Sequence, residues 1–243
     1  MNLVIDIGNT RVKAAVFEEY KLVELFSFDK KIILSKVKII LNKHTITSAI
    51  MSSVASISNY KLQKLNEIIP FRLVSSKTKV PFKNKYITPN TLGVDRIALI
   101  VAAKKEYSKQ NILVIDAGTC ITFDFINKDS IYLGGAISPG IKMRYISLNS
   151  LTAKLPLLSP KLPLNFIGES TAESIHSGII NGIINEIDGV ISQYQNNFLD
   201  LTVVLTGGDT NFLAKQLKSS IFAKQNFLLK GLNEILIFNK SKW

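Results

Sequence analysis

Residues 3–8 read LVIDIG and residues 113–118 read LVIDAG, and this repeat is the strongest indication of how the chain folds. Five of the six positions are identical, and the two copies lie 110 residues apart. Each copy is a short apolar run, typical of a buried strand, that ends in Asp-x-Gly. A polar turn follows each copy, Asn9-Thr10 in one and Thr119 in the other, and then a second β-rich run. We therefore predict two duplicated β-hairpins, each with an acid, a glycine and a hydroxyl at its turn.

Helix-like and strand-like stretches alternate through the rest of both halves. The first half is predicted to hold strands over 21–28 and 48–53 and helices over 32–41, 61–69 and 92–107. The second half is predicted to begin with a strand over 131–136, a helix from Pro139 to about Leu151 and a proline-containing loop over 152–167. A helix over 170–194, capped by Ser170 or Thr171, and a strand over 201–205 are predicted next. A helix of about ten residues and a closing segment over 228–238 complete the prediction. We expect an α/β protein with two lobes, residues 1–108 and 109–243.

Composition restricts the class of protein. The chain has 243 residues and is 47% hydrophobic, enough for one large core or two modest ones. Its apolar runs are far shorter than the roughly 20 residues that span a bilayer, and MNLVIDIGNT lacks the pattern of a signal peptide. Cys120 is the single cysteine, so an internal disulfide is excluded. We expect a globular cytoplasmic protein with no membrane association.

The net charge of +12 admits three interpretations. It could mark a nucleic-acid partner, it could attract an anionic substrate such as ATP, or it could be a solvated basic surface. The lysines are scattered, with no dense basic block, recognition-helix pattern or zinc spacing. We favour the solvated surface and expect no nucleic-acid partner.

The first turn, Asp6-Ile7-Gly8-Asn9-Thr10-Arg11-Val12-Lys13, has the residue types that bind phosphate. Gly8 would let backbone N–H groups approach a phosphate, while Thr10 adds a hydroxyl and Lys13 a positive charge. Asp6 at the strand end could hold Mg²⁺ through waters. The same letters also suit an ordinary turn between strands, and they match neither the P-loop nor the dinucleotide fingerprint.

Two later segments strengthen the phosphate interpretation. Asp116-Ala117-Gly118-Thr119 repeats the first turn, so the two turns could grip the phosphates of one nucleotide. Thr206-Gly207-Gly208 follows a predicted strand, and paired glycines would let a base or ribose lie against bare backbone. Gly-Gly alone usually marks a tight turn, but its position after two Asp-x-Gly turns favours nucleotide binding.

This ordered set resembles the two phosphate motifs and the adenosine motif of the acetate kinase, sugar kinase, heat-shock chaperone and actin superfamily. Within it, nearly the whole chain resembles the type III pantothenate kinases. The resemblance also rests on the segments Tyr86–Arg96 (YITPNTLGVDR), Gly134–Gly140 (GGAISPG) and Gly168–Gly178 (GESTAESIHSG), with Ser170 where an Asn is common. It implies two actin/ribonuclease H-like lobes, each a mixed β-sheet flanked by helices, with a nucleotide cleft between.

The resemblance also implies a role for each matching residue. Asp95 would be the general base that accepts the proton of the pantothenate hydroxyl, and Asp116 would bind a monovalent cation, K⁺ or NH₄⁺. The residues implied to contact ATP are Asp6, Ile7, Gly8, Asn9, Thr10, Arg11, Val12, Lys13 and Thr119. Those implied to contact pantothenate are Tyr86, Gly93, Val94, Asp95, Arg96 and Thr171. It further implies Mg²⁺ bound with ATP and a homodimer whose second subunit completes the substrate pocket.

Two alternatives stay open at the level of sequence. A kinase of the same superfamily could phosphorylate another small hydroxyl compound or a sugar. A non-catalytic regulator like the Bvg accessory factors would suit the basic composition, but it would not need Asp6, Lys13, Asp95 and Asp116 together. Four residues receive no role: His44 and His176 are expected on the surface or outside the site, Cys120 is expected in the core, and Asp124 is as consistent with an exposed strand position as with a role in the site.

Overall fold

The computed structural model describes residues 1–53 and 57–240. The strands are β1 (Asn2–Ile7), β2 (Val12–Glu18), β3 (Lys21–Phe28), β4 (Ser48–Ser53), β5 (Arg72–Leu73), β6 (Lys83–Asn84), β7 (Asn111–Ala117), β8 (Cys120–Ile126), β9 (Ile131–Pro139), β10 (Leu201–Thr206) and β11 (Phe222–Ala223). The helices are α1 (Ile33–Lys43), α2 (Asn59–Ile68), α3 (Val94–Glu106), α4 (Ile141–Ser150), α5 (Thr171–Asn197), α6 (Thr210–Leu213) and α7 (Phe227–Asn239), with short 3-10 helices at Lys30–Ile32 and Pro89–Thr91.

The chain forms two compact units. The first contains residues 1–108, the short stretch 130–132 and the segment from 226 onward that carries α7. The second contains residues 109–129 and 133–225. The change of unit at 108/109 coincides with the lobe division expected from sequence. However, α7 groups with the first unit, whereas the sequence division places it in the second lobe.

The sheet of the first unit has the strand order β3-β2-β1-β4-β5. Strands β1, β2 and β3 form an antiparallel meander, while β4 and β5 run parallel to β1. Alternate residues of β1, such as Leu3 and Ile5, join one core with the apolar side of α1 and α2. Burying each such side chain stabilises the fold by roughly 1.5–3 kcal/mol. Helices α3 and α7 pack against each other and against β4.

The second unit repeats this arrangement. Its strands follow the order β11-β10-β7-β8-β9, in which β7 and β8 are antiparallel and β10 and β11 run parallel to β7. Strand β7 therefore takes the place of β1, and β10 takes the place of β4. The core of this unit packs one face of the sheet against α4 and α5. The duplication predicted from LVIDIG and LVIDAG therefore extends to the order of these five strands.

Two predicted boundaries in the second half differ from the observed ones. Strand β9 continues to Pro139, and α4 begins only at Ile141. The reason is a close approach at Gly140, whose N–H donates to the Thr119 oxygen at 3.1 Å. A Cβ at Gly140 would lie 2.2 Å from the Gly118 oxygen. This contact with the hairpin turn keeps the chain extended up to Pro139.

The helix predicted after Gly208 is also shorter than expected, since α6 has four residues instead of about ten. The carboxylate of Asp188 in α5 accepts hydrogen bonds from the backbone N–H groups of Lys218 and Ser219, both at 3.1 Å. Those N–H groups are therefore not available to extend a helix. Across the described residues, none of the helices combines the length and the hydropathy needed to cross a bilayer.

Candidate active site

The first candidate element is the β1–β2 turn. The Gly8 N–H donates to the Arg11 oxygen at 3.1 Å and closes the turn, and Asp6 lies opposite Lys13 in the hairpin register. Ile7 and Val12 have fully buried side chains, so these two predicted contacts can offer only backbone atoms. Asn9, Thr10, Arg11 and Lys13 are exposed. The predicted ATP contacts in this turn therefore divide into buried supports and exposed polar groups.

Two basic side chains hold this turn in place. Lys30 donates to the Asn9 oxygen at 2.7 Å, and Arg11 donates to the Ser27 oxygen at 2.9 Å. The Arg11 guanidinium is therefore engaged with β3. Lys13 lies opposite Asp6 in the hairpin, and its positive charge slightly lowers the pKa of the Asp6 carboxyl.

Asp6 has an unusual environment that sequence reasoning did not find. The Ser52 hydroxyl, fully buried in β4 beside it, donates to Asp6 Oδ1 at 2.7 Å. The pKa of Asp6 is raised to about 6, mainly by burial. The Ser52 hydrogen bond opposes this rise, and the negative charge of Asp95 adds to it. Ser52 could be identified as the partner of Asp6 only from the register of the parallel strands β1 and β4, which a single sequence does not give.

Asp95 lies in the first turn of α3, where the positive end of the helix dipole favours a carboxylate. Its Oδ1 accepts the Arg96 N–H at 2.8 Å. Gly93, which precedes the helix, would place a Cβ 2.3 Å from that oxygen. Glycine at 93 is therefore required for the observed position of the Asp95 carboxylate, and Val94 beside it is half-buried.

Two of the predicted pantothenate contacts in the first unit, Tyr86 and Arg96, lie against each other. Arg96 is only 5% exposed, and its Cζ lies 5.6 Å from the centre of the Tyr86 ring. This distance suits a cation–π interaction. The Tyr86 ring in turn stacks on Tyr132 with centroids 6.1 Å apart and an interplanar angle of 28°. Tyr86 and Arg96 are therefore brought together, and Tyr132 is a neighbour that the motifs did not identify.

The second candidate turn lies in the second unit and resembles the first. The Gly118 N–H donates to the Cys120 oxygen at 2.9 Å, and Thr119 is exposed at the tip. Asp116 at the end of β7 is in register with Thr122 of β8 and Thr206 of β10. Asp116 thus has a hydroxyl residue at the parallel position that Ser52 occupies beside Asp6.

Gly207 fits closely over Asp116. It has a φ of +102°, and a Cβ there would lie 2.5 Å from Asp116 Oδ1 and 2.2 Å from the Ala117 oxygen. The following Gly208 has no atom within 4 Å of its Cβ position. One glycine therefore allows the chain to pass over the acid, and the other leaves a bare, open backbone.

Thr171 belongs to the second unit, whereas the other predicted pantothenate contacts belong to the first. It is exposed as the first residue of α5, and it lines a groove of about 670 Å³ with Arg144, Ser147 and Ser174. Ser170 caps the helix by accepting the Glu173 N–H at 3.3 Å, as its sequence position predicts. The serine that replaces the common Asn is therefore a helix cap.

The structure also shows the surroundings of the four residues to which the sequence assigned no role. Asp124 is fully buried, so the exposed alternative for this position is wrong. His176 is half-buried and its Nδ1 lies 2.7 Å from the Tyr145 hydroxyl, so it is not a surface histidine. His44 pairs with Glu24 at 2.6 Å, and Cys120 is half-buried with its Sγ 3.9 Å from the Met143 Sδ. Over residues 1–53 and 57–240, no three His, Cys, Asp or Glu side chains cluster as a metal centre.

Solved structures share this fold. A protein from Campylobacter jejuni, described as a candidate Baf family transcriptional activator, matches with a TM-score of 0.65 and 22% identity over 98% of this chain and 99% of that one. The activator of 2-hydroxyisocaproyl-CoA dehydratase from Clostridium difficile, solved with bound ADPNP, matches with a TM-score of 0.54 and 11% identity over 99% and 95% of the two chains. Together with the two mixed sheets, these matches confirm the predicted α/β, actin-like fold class.

Curated relatives show the family. The type III pantothenate kinase of Christiangramia forsetii is 49% identical over 243 residues, all of both chains. That of Flavobacterium johnsoniae is 46% identical over 235 residues, 96% of each chain. The sequence pattern of the type III pantothenate kinase family matches residues 2–193. This chain therefore belongs to the type III pantothenate kinase family.

Proposed function

We propose that the protein phosphorylates pantothenate with ATP and gives 4′-phosphopantothenate, the first step of coenzyme A biosynthesis. The observation that carries the proposal is the full-length similarity to enzymes named for this activity. The position of Asp95 and Asp6 within one unit is consistent with it. We also propose that the reaction takes place in the cytoplasm, where ATP is available.

The proposed base is Asp95. Phosphoryl transfer depends on positioning and charge neutralisation, with a carboxylate that orients or accepts the proton of the attacking hydroxyl. In the proposed step, the pantothenate hydroxyl oxygen bonds to the γ-phosphorus, the bond to the β-γ bridging oxygen breaks, and the hydroxyl proton passes to Asp95. The Arg96 N–H bond to Oδ1 supports this role, since it fixes one carboxylate oxygen in the first turn of α3.

The remaining predicted contacts divide between the two substrates. We propose that the exposed groups of residues 8–13 and Thr119 contact the ATP phosphates, with the buried Ile7 and Val12 supporting the turn. Tyr86, Gly93, Val94, Arg96 and Thr171 are the proposed pantothenate contacts. The stack of Arg96 on Tyr86 supports this assignment, because it presents a fixed cation to a carboxylate substrate.

A divalent ion accompanies ATP in kinases of this kind, and we propose Mg²⁺ with Asp6 as its protein ligand through water. Mg²⁺ keeps several waters and usually takes one or two carboxylates besides the phosphates. The raised pKa of Asp6 fits a carboxylate that lacks a strong cationic partner in the protein alone. When bound, the ion would neutralise charge on the transferring phosphoryl group.

We propose Asp116 as a ligand of K⁺ or NH₄⁺. Thr122 lies opposite it in the β7–β8 register, and its hydroxyl is buried with no hydrogen-bond partner among the residues that the structure describes. A buried hydroxyl oxygen beside a carboxylate offers the oxygen donors that such a cation needs. Exchange of K⁺ for Na⁺ should lower turnover, and a thallium NMR signal that Asp116→Asn abolishes would test the site without an activity assay.

The homodimer is likewise a proposal. The loop before α5 and the end of α4 carry large apolar side chains that water contacts, including Leu151, Leu164 and Phe166. A monomer rarely exposes such side chains together, whereas a subunit interface covers them. We propose that a second copy of the chain covers this surface and completes the substrate pocket near Thr171.

One observation favours a second candidate, a transcriptional regulator, because a solved structure of the same fold is described in those terms. At 22% identity that match concerns the fold alone. A regulator would bind DNA with an affinity that falls steeply as the salt concentration rises. Binding to a generic duplex at low and moderate salt separates the candidates, since a solvated basic surface should bind only weakly.

The test of the proposed function is ADP release with Mg-ATP and K⁺, with and without pantothenate, and with a panel of sugars and polyols. We expect release that requires pantothenate and falls by about 10²–10⁴-fold in Asp95→Asn. Asp200→Asn is a matched control, since Asp200 is exposed and its φ of +54° suits asparagine. Release with another acceptor would change the substrate, and near-normal turnover of a folded Asp95→Asn variant would remove the proposed base.

A further inference from the structure

Tyr132 stacks on Tyr86, one of the proposed pantothenate contacts, although none of the motifs contains it. Residues 130–132 group with the first unit, while the chain on either side of them belongs to the second. The Tyr132 ring is 1% exposed, stacks on Tyr86 and meets the edge of Phe82 with centroids 6.0 Å apart. The order of the contacts is therefore Phe82, Tyr132, Tyr86 and Arg96.

The backbone of the same residue holds the segment that carries Tyr86. Strand β6 pairs with the start of β9, with Asn84 in register with Tyr132. The Lys85 N–H donates to the Tyr132 oxygen at 3.0 Å. Asn84 Oδ1 then accepts the Tyr86 N–H at 2.9 Å. Ring and backbone of Tyr132 thus restrict both the direction of the Tyr86 side chain and the path of the chain leading to it.

The geometry points to Tyr132 as a positioning residue for pantothenate binding, an inference that rests on the proposed function of Tyr86 and Arg96. Tyr132 itself is buried and does not touch the substrate. It keeps the Tyr86 ring in the orientation in which the Arg96 guanidinium lies over it. The guanidinium therefore stays directed towards pantothenate. Loss of the ring leaves Tyr86 free to turn, and Arg96 loses the surface on which it stacks.

The experiment is a kinetic double-mutant cycle at 86 and 132, with KM and kcat measured separately for pantothenate and for ATP. We expect Tyr132→Leu to raise the pantothenate KM about tenfold, with kcat and the ATP KM within about threefold of wild type. Tyr132→Phe keeps the ring and should stay within about twofold on every parameter. In the Tyr86→Ala background, Tyr132→Leu should add almost nothing, because the two residues act through one contact.

The control is Phe17→Leu, since Phe17 is also 1% exposed and belongs to the same unit. It should lose thermal stability as Tyr132→Leu does, but keep the pantothenate KM of wild type. If Tyr132→Leu does not fold, Tyr132→Met fills more of the same space and serves in the same cycle.

The outcomes separate the inference from the proposed function. Additive effects at 86 and 132, an equal rise of the pantothenate KM in Phe17→Leu, or a full loss in Tyr132→Phe would each overturn the inference while wild type still uses pantothenate. No pantothenate-dependent release by wild type would overturn the proposed function, and the inference with it. A pantothenate-specific, non-additive and ring-dependent effect supports the role of Tyr132.

Discussion

At the level of single residues, Asp6, a proposed ATP contact, lies in an environment that disfavours its charge. Burial raises the pKa of Asp6 to about 6 from an ordinary value of 3.8. Between these two pH values the folded protein binds more protons than the unfolded chain, so its free energy of unfolding should fall as the pH rises from about 4 to about 6, and this contribution should be constant above that. Asp6→Asn removes the titration. At pH 7.5 and without nucleotide, the variant should therefore be more stable by about 3 kcal/mol.

Urea unfolding of wild type and Asp6→Asn at pH 4, 5, 6 and 7.5 would measure this difference. The stability advantage of the variant should grow through that interval while its turnover is lost. Asp200→Asn changes the same chemical group at an exposed position, and it should show no such growth with pH. An advantage of equal size at pH 4 and pH 7.5 would show that Asp6 is not the group that titrates.

Ser52 tests the same site without changing a charge. Ser52→Ala removes the hydroxyl that donates to Asp6 Oδ1, and a hydrogen bond to a charged group contributes about 1.5–3 kcal/mol. We expect calorimetry to show about tenfold weaker ATP binding with Mg²⁺ present, and nearly unchanged binding in EDTA. Ser52→Thr keeps the hydroxyl and should restore most of the affinity. Equal weakening with and without Mg²⁺ would instead indicate a general disturbance of β4.

At the level of elements, the sequence predicts well the parts whose signals are local. The two strands ending in Asp-x-Gly, their hairpin partners, α3 and α5 follow from short apolar runs, helical spacing and the Ser170 cap. The two-residue strand β6 was missed, because it exists only through its pairing with β9. The length of α6 was overestimated, because Asp188 binds the backbone that would have extended it.

The crossing of α3 and α7 gives a prediction about packing. A Cβ at Gly231 would lie 1.8 Å from the Ala98 oxygen and 3.3 Å from the Ala102 Cβ. Gly231→Ala should therefore push the helices apart and cost about 1–3 kcal/mol or more, as overpacked cores do. Gly189→Ala is the matched control within α5, where the added methyl meets open space. Since alanine favours a helix over glycine by roughly 0.5–1 kcal/mol, that variant should gain stability in thermal unfolding.

At the level of the whole molecule, the duplication explains what the sequence could predict of the site. Asp6 and Asp116 occupy equivalent strand ends, and each has a hydroxyl residue, Ser52 or Thr206, in register on the neighbouring parallel strand. The repeat revealed the acids because both are part of the matching letters. Neither hydroxyl partner could be assigned from the repeat, since strand register joins residues that are distant in the chain. The return of α7 to the first unit is non-local in the same way.

The largest-scale prediction concerns association of two chains. Phe166 is 80% exposed in the loop before α5, where its backbone oxygen accepts the Ser177 hydroxyl, so this apolar surface is held by the fold. Light scattering after gel filtration should give twice the chain mass of 27.0 kDa, and Phe166→Asp should give a monomer that has lost pantothenate-dependent turnover. Leu199→Asp introduces the same charge at another apolar side chain of the second unit, 85% exposed, and should remain dimeric and active. A wild-type monomer with full activity at micromolar concentration would refute both the dimer and the shared pocket. A monomeric Phe166→Asp variant that still binds ATP would show that its loss of turnover arises at the pantothenate side of the site.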